Sequence, residues 1–312
     1  MNFIDEKFNK IITEFEVLPV HELRSKMILF YKSLPINIKM SLENFLKNYN
    51  FWGELEEKSR NFDIFDKKAS IFKEKREDFI WLYENLKDFK SKAVLTEVLN
   101  NYYNFDFAGL NNVADKIYKH YFDLDLVPYC KDEVLIDVGA YTGDTVLDYF
   151  SSYGKDSYRL IYCYEITASM VEYMEKTFSS YDNIVIKNFA VADKNGYLYL
   201  DENNSSSSAN RAKNEGKVKV RATSLDADIK ERVSMIKMDI EGGEYSALLG
   251  AKRHIQEDLP KLFLSVYHSN DDLIRIPRLI AEISNDYDFY LRYYGGNIYA
   301  TEIVLICLPK RK

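Results

Sequence analysis

From Val134 to Leu308, short apolar runs of strand length alternate with stripes of helical period, and this alternation limits the fold more than any other feature. "VLIDVGA" reads as a strand and "TVLDYFSSYG" as a short helix that Gly154 ends. "RLIYCYE" is the next strand, and "TASMVEYMEKTFSSY" a helix opened by Thr167 or Ser169. "IVIKNFAVA" reads as a third strand, with "GYLYL" and "KVKVRA" as added strands. Then come the strand "MIKMDI", the helix "EYSALLGAKRHI", the strand "LFLSVYH" and a helix near Leu273 to Ser284. "DFYLRYY" and "EIVLICL" close the series across a short "GGN" turn, so these two strands pair antiparallel. Strands alternating with helices predict a parallel sheet covered on both faces. The expected class is α/β: a Rossmann-like sheet, mostly parallel, with the last strand antiparallel.

Glycine divides the chain. Only Gly53 and Gly109 precede residue 130, and the other ten follow it. Glycines serve tight turns and close backbone approach, so the two halves differ in architecture. The first half reads as helices. "KASIFKEKREDFIWLYENLKDF" sets Ile71, Phe72, Phe79, Leu82, Tyr83 and Leu86 mostly three or four residues apart. "SKAVLTEVLNNYYNF" repeats the stripe with Val94, Leu95, Val98, Leu99 and Tyr102. Pro19 and Pro35 break the earlier apolar segments. The expected division is a helical region over residues 1–125 and an α/β domain over residues 126–312. The helical stripes pack a core or a docking face. Substrate cover or dimerisation is the functional role open to them, and a Tyr- and Phe-rich half favours homo-oligomers.

Composition narrows the function classes. At 312 residues and 46% hydrophobic content the chain has ample material for a core. No apolar run reaches the roughly 18 residues of a membrane span. The opening "MNFIDEKFNK" carries early acids and does not read as a secretory signal. Cys130, Cys163 and Cys307 are far apart and make no CxxC pair, which argues against a disulfide scaffold or zinc site and suits a reducing cytoplasm. The net charge of −7 lacks the basic field of a protein that grips nucleic-acid phosphates.

The loop "DVGAYTG" lies at the carboxyl end of the first strand, where parallel sheets bind ligands. Gly139 and Gly143 let the backbone turn tightly and come close to a ligand. Asp144 or Thr145 is placed to cap the following helix. A dinucleotide loop packs three glycines as GxGxxG around a pyrophosphate. Here there is no GxG, and Asp137 stands two residues before the first glycine. An acid there repels a diphosphate and suits a cation. S-adenosylmethionine carries an ammonium and a sulfonium at its methionyl end, and Tyr141 is placed for a cation–π contact with either. Glu165 ends the second strand twenty-two residues after Gly143, where an acid accepts from both ribose hydroxyls; Ile166 adjoins it. Asn188 and Ala190, in "NFAVAD", end the third strand where an adenine fits, and Asp193 is placed to accept from its amine. A mostly parallel sheet with an antiparallel final strand is the layout of many class I S-adenosylmethionine-dependent methyltransferases.

With these residues in view, the chain resembles the FkbM family of methyltransferases. The matching pieces are "LIDVGAYTGDT", "NFAVADKNG", "ATSLDAD", "IKMDIEGGEYSALLGA", "SVYHSNDDLIRIP" and "DFYLRYY", in that order, across roughly Lys87 to Leu308. "NLKDFKSKAVL" is similar to the lead-in of one branch of the family, while residues 1 to about 80 carry no resemblance. "TEIVLIC" departs from the Glu-Thr-Val-Leu-Tyr ending of relatives, at a rim position. The resemblance implies S-adenosylmethionine as cofactor and O-methylation of a small molecule or sugar.

Methyl transfer is an in-line displacement on an activated donor, so alignment dominates, at about 7–11 kcal/mol of the barrier. A general base refines the rate by about 10²–10⁴-fold. Asp239 and Glu241 end the fourth parallel strand and His268 ends the fifth, so the three are expected to converge. His268 is the candidate base, against a structural or substrate-binding role. Asp239 is assigned to the methionyl end or the acceptor hydroxyl. Glu241 is assigned to positioning substrate or sharing in proton removal, unless it merely faces the positive end of the helix near Glu244. Asp239, Glu241, Glu244 and His268 also form a set that suits Mg²⁺ or Mn²⁺, although their spacing fixes no geometry and a metal is not the favoured reading. The polar stretch "NNSSSSANRAKNEGK" reads as a flexible loop or an acceptor lid. Asp226, Arg292 and Tyr294 are further candidates for the acceptor or for structure. The rival readings are a nicotinamide-dependent oxidoreductase, which predicts the GxGxxG this chain lacks, and a non-catalytic interaction module built on a decayed nucleotide fold.

Overall fold

The computed structural model describes residues 1–49, 51–200, 212–213, 218–296 and 298–310. Seven helices come first: α1 (Phe3–Val17), α2 (Val20–Ser33), α3 (Ile36–Asn48), α4 (Asp63–Glu74), α5 (Arg76–Asn85), α6 (Phe89–Asn104) and α7 (Phe107–Val113). The α/β part then runs β1 (Glu133–Val138), α8 (Asp144–Tyr153), β2 (Tyr158–Tyr164), α9 (Ala168–Thr177), β3 (Ile184–Lys187), β4 (Ala190–Val191), β5 (Gly196–Leu200), β6 (Ala212–Lys213) and β7 (Val218–Thr223). It continues with α10 (Leu225–Asp228), β8 (Met235–Met238), α11 (Glu244–Leu249), β9 (Lys261–Ser265), α12 (Asp272–Ile283), β10 (Tyr287–Tyr293) and β11 (Ile303–Pro309).

The main sheet has the order β10-β11-β9-β8-β1-β2-β3. The pairs β1–β2, β1–β8, β2–β3 and β8–β9 are parallel. The last strand is antiparallel, as the sequence predicts. β1 is buried at all six positions, as a central parallel strand must be. The added strands form a second sheet in the order β4-β7-β5-β6.

Two elements differ from the sequence reading. The run from Ile184 to Ala192 is not one strand. β3 stays in the main sheet and β4 joins the second, with the break at Asn188. The Asn188 amide donates to the carbonyls of Glu165 (2.9 Å) and Ile166 (3.1 Å), which ties the chain to the loop after β2. The single helix expected over 244–255 is α11 plus a separate π-helical turn, His254–Asp258. Asp226 receives the backbone N–H groups of Arg253 (2.9 Å) and His254 (3.3 Å) and so anchors that second turn. Asp226 thus has a structural duty, and so does Arg292. The latter is buried, with its guanidinium on the Asp88 carboxylate (2.8 Å) and the Ser91 hydroxyl (3.0 Å). The polar stretch from 203 to 217 read as a loop or lid lies largely outside the described residues, as do all of Ser205 to Ser208.

The chain divides into two compact units. One comprises Met1–Lys116, Val266–Arg278 and Asp288–Leu305. Its helices bury an aromatic core in which Phe8 stacks on Tyr83 (3.8 Å between centroids) and Phe15 on Phe72 (4.4 Å). Lys75 splits the first predicted stripe into α4 and α5, while Phe72, Phe79, Leu82, Tyr83 and Leu86 are all buried. Trp52 is fixed in the same unit: its indole N–H donates to the Tyr267 carbonyl (2.6 Å), and its own carbonyl accepts from Asn270 (2.8 Å). The other unit comprises Ile117–Ser265, Leu279–Tyr287 and Ile306–Lys312, and holds β1, β2, β3, β8 and β9 with their helices.

Candidate active site

The loop after β1 is built by its glycines against the protein itself. Gly139 has φ +78, and a Cβ there would meet the Asp239 carbonyl oxygen at 1.9 Å. Gly143 has φ +80 and would meet the Phe178 ring at 2.3 Å. Both positions therefore demand glycine for backbone conformation and internal packing, before any ligand is considered. Gly143 is itself the cap of α8, and no side chain caps that helix. Asp144 and Thr145, the expected caps, instead form its first turn, where Asp144 is exposed and favoured by the helix dipole and Thr145 is buried.

Asp137 does not point a bare charge at the loop. The β1–β8 register sets Asp137 opposite Lys237, and their charged atoms lie 2.9 Å apart. Both side chains are buried. Neither Asp137 oxygen accepts a well-formed hydrogen bond among the described residues. Burial pushes this carboxyl up to about 6 against the pull of Lys237, and Asp144 and Asp239 push the same way. Burial pulls the Lys237 ammonium down, but Asp137, Asp239 and Asp144 outweigh it and hold it above its ordinary value. Lys237 also donates to the Gly139 carbonyl (2.8 Å), directly under the loop. Asp137 thus pairs directly with this ammonium, while Asp239 and Asp144 act on it electrostatically and add acidic groups to the carboxyl edge of β1 and β8.

Glu165 follows β2 and is buried. Its carboxylate bridges two loops, accepting from the Tyr141 backbone N–H (2.9 Å) and from the Thr167 N–H (2.7 Å). Tyr141 has φ 47 and Glu241 has φ 57, both in the left-handed region that non-glycine residues avoid. They lie on the loops that follow neighbouring strands β1 and β8, so two strained residues stand at the edge where parallel sheets bind ligands. Glu244, at the start of α11, is buried and accepts from the Ile240 N–H (2.9 Å), which closes the loop bearing Glu241.

The remaining predicted residues are accounted for as follows. Asn188 is exposed apart from its two carbonyl contacts, and Ala190 is buried in β4. Ile166 is half-buried and packs on the small cluster of Ala190, Ala192, Val220 and Ala222. The Asp193 carboxylate sits 3.4 Å from the Ser246 hydroxyl. Asp239, Glu241, Glu165, Ile166, Asn188 and Ala190 belong to the unit that holds β1 and β2. His268 belongs to the other unit, where it is buried with the Phe51 ring edge-on at 5.5 Å. Tyr294, in that same unit, is half-buried and donates its N–H to Glu302.

Two site residues escape sequence reasoning. Lys237 had a readable signal, because a lysine inside the buried strand Met-Ile-Lys-Met requires a buried acid beside it. Tyr121 had none. Its hydroxyl donates to Asp239 Oδ2 at 2.7 Å.

Comparison with known proteins agrees with this fold. The methyltransferase FkbM domain matches residues 137–295. A crystal structure of methyltransferase FkbM from Methylobacillus flagellatus KT is similar at a TM-score of 0.64 and 20% identity, over 86% of this chain and 70% of that one. An rRNA methylase from Streptococcus thermophilus overlaps more loosely, at a TM-score of 0.39 and 10% identity, over 59% of this chain and 90% of that one. No curated protein sequence matches the chain. Among the described residues, no helix is long and apolar enough to cross a membrane.

Proposed function

Because the chain belongs to the FkbM family of methyltransferases, we propose that it uses S-adenosylmethionine to methylate a hydroxyl of a sugar, glycan precursor or secondary metabolite. The donor set at the carboxyl edge of β1, β2 and β8 supports this reading most. Asp137, Asp144 and Asp239 outnumber Lys237 there, so the edge suits a cationic ligand and disfavours a diphosphate. A nicotinamide dinucleotide carries that diphosphate, and the oxidoreductase reading is set aside with it.

In this reading Glu165 holds the ribose hydroxyls, and Ile166, Asn188 and Ala190 border the base. The loop from Gly139 to Gly143 backs the nucleoside, and Asp239 faces the methionyl end. When bound, S-adenosylmethionine supplies a methyl group already activated on a sulfonium. The chain then has to align the acceptor hydroxyl and take its proton. His268 is the residue proposed to take that proton, and Glu241 to orient the acceptor. The acidic edge would favour binding of the cationic methionyl end.

The test is incorporation of labelled methyl from S-adenosylmethionine into a panel of sugar nucleotides and glycans. At least one hydroxyl acceptor is expected to take up label. His268→Ala is expected to keep S-adenosylhomocysteine affinity and lower turnover by about 10²–10⁴-fold. Normal turnover in that variant removes His268 from the base role, and label appearing only on nitrogen or carbon overturns O-methylation.

A further inference from the structure

We propose that Tyr121 is a positioning residue of the cofactor site and acts through Asp239; this rests on reading the carboxyl edge as an S-adenosylmethionine site. Tyr121 lies in the stretch just ahead of β1. It is buried, and its hydroxyl donates to Asp239 Oδ2 at 2.7 Å. Its backbone has φ 73, a conformation a bulky aromatic residue adopts only where its surroundings enforce it. Those surroundings are present. Lys119 and Phe122 close a tight turn through the Phe122 N–H to the Lys119 carbonyl at 3.0 Å. Lys119 pairs with Asp148 on α8 (3.0 Å), and the Phe122 ring packs edge-on against Tyr149 and Tyr153. The turn is thereby fixed to α8, and it delivers Tyr121 to the end of β8.

A filler for the core needs neither a hydroxyl nor a left-handed backbone. Here both are spent on one carboxylate. Asp239 is held at its main chain as well: its N–H donates to the Val138 carbonyl (3.0 Å), and its own carbonyl abuts Gly139. The bond from Tyr121 adds a constraint on the rotation of the carboxylate. His120 stacks flat on Tyr121, at 3.9 Å and 5°. Burial pushes the His120 imidazole down to about 4, against the pull of Asp239 and together with the repulsion of Lys237. It is therefore neutral at pH 7 and brings no second cation to the acidic edge. Lys237 lies 5.5 Å from the centre of the Tyr121 ring. One phenol thus orders the anion meant for the methionyl end, while Glu165 serves the ribose on a different strand.

The test is calorimetry on the full chain with two probes, S-adenosylhomocysteine and 5′-methylthioadenosine, which lacks the amino-acid end. Tyr121→Phe removes only the hydroxyl. It is expected to weaken S-adenosylhomocysteine binding by about five- to tenfold, less than the roughly 10- to 150-fold value of a direct bond to a charged group because Tyr121 acts through Asp239, and to leave 5′-methylthioadenosine affinity unchanged. In an Asp239→Ala background, which leaves the phenol no acceptor at that position, Tyr121→Phe should have no further effect. Equal S-adenosylhomocysteine affinity in Tyr121→Phe, equal loss for both probes, or additive effects in the double variant would each overturn the proposal. Failure of the wild-type chain to bind either probe would instead overturn the cofactor reading on which it stands.

Discussion

Replacing Glu165 with alanine removes a carboxylate that ties the loop after β1 to the loop after β2. Two backbone N–H groups, of Tyr141 at 2.9 Å and Thr167 at 2.7 Å, lose their acceptor in a part-buried place. Bonds to a charged group contribute about 1.5–3 kcal/mol each. Water reaches the loops once the side chain is gone, so the lower end applies and the loss of stability is about 2–3 kcal/mol. Tyr141 then loses one restraint on a left-handed backbone that costs roughly 1–2 kcal/mol, while the Gly143 N–H to Ala140 carbonyl bond (2.7 Å) still closes its turn. Ligand affinity is expected to fall for a second reason, the loss of the proposed ribose acceptor. S-adenosylhomocysteine should bind about 10- to 150-fold more weakly, equivalent to about 1.5–3 kcal/mol. Glutamine keeps one acceptor oxygen and should fall between wild type and alanine in urea unfolding, but near alanine in affinity. Paired urea titration and calorimetry read both effects. Unchanged affinity in a folded Glu165→Ala protein would refute the ribose assignment, and unchanged stability would refute the bridging role.

Gly139→Ala should destabilise the chain by about 2–5 kcal/mol, because a left-handed alanine would also have to displace the Asp239 backbone oxygen. Gly143→Ala should lose less, about 1–3 kcal/mol, since a ring such as Phe178 can swing aside; the reverse order in urea unfolding would contradict this packing account. Lys68 is buried with its ammonium 3.7 Å from the Tyr102 ring centre, and burial pushes it down to about 7 against the pull of Asp271 and Asp272. Between pH 7 and the ordinary lysine range the unfolded chain binds this proton and the native chain does not, so stability should rise with pH there, by at most about 1.4 kcal/mol per pH unit. Lys68→Met should flatten that slope and raise stability at pH 7; an unchanged slope in urea unfolding between pH 7 and 9 would count against it.

Much of the α/β frame was legible because its residues report their own surroundings. A strand buried on both faces reads as a continuous apolar run, as "VLIDV" does, and the helix stripes on either side imply the crossovers. The break at Asn188 was not legible. It depends on an amide reaching carbonyls twenty-two and twenty-three residues earlier in the chain. Asp137 was legible as an acid at the end of a buried strand, but its partner was passed over: Lys237 stands 100 residues further on and meets it only through the β1–β8 register. The glycines were found, yet what they make room for, the Asp239 carbonyl and the Phe178 ring, exists only after folding. Tyr121 carries no periodicity or motif, and only the turn at Lys119–Phe122 reveals its aim.

Calorimetric titration of the wild-type chain with S-adenosylhomocysteine, and separately with NAD, tests the central claim most directly. An acidic carboxyl edge that accepts a methionyl nucleoside predicts one S-adenosylhomocysteine bound per chain and no heat from NAD. Saturable NAD binding, or no binding of S-adenosylhomocysteine, would contradict it.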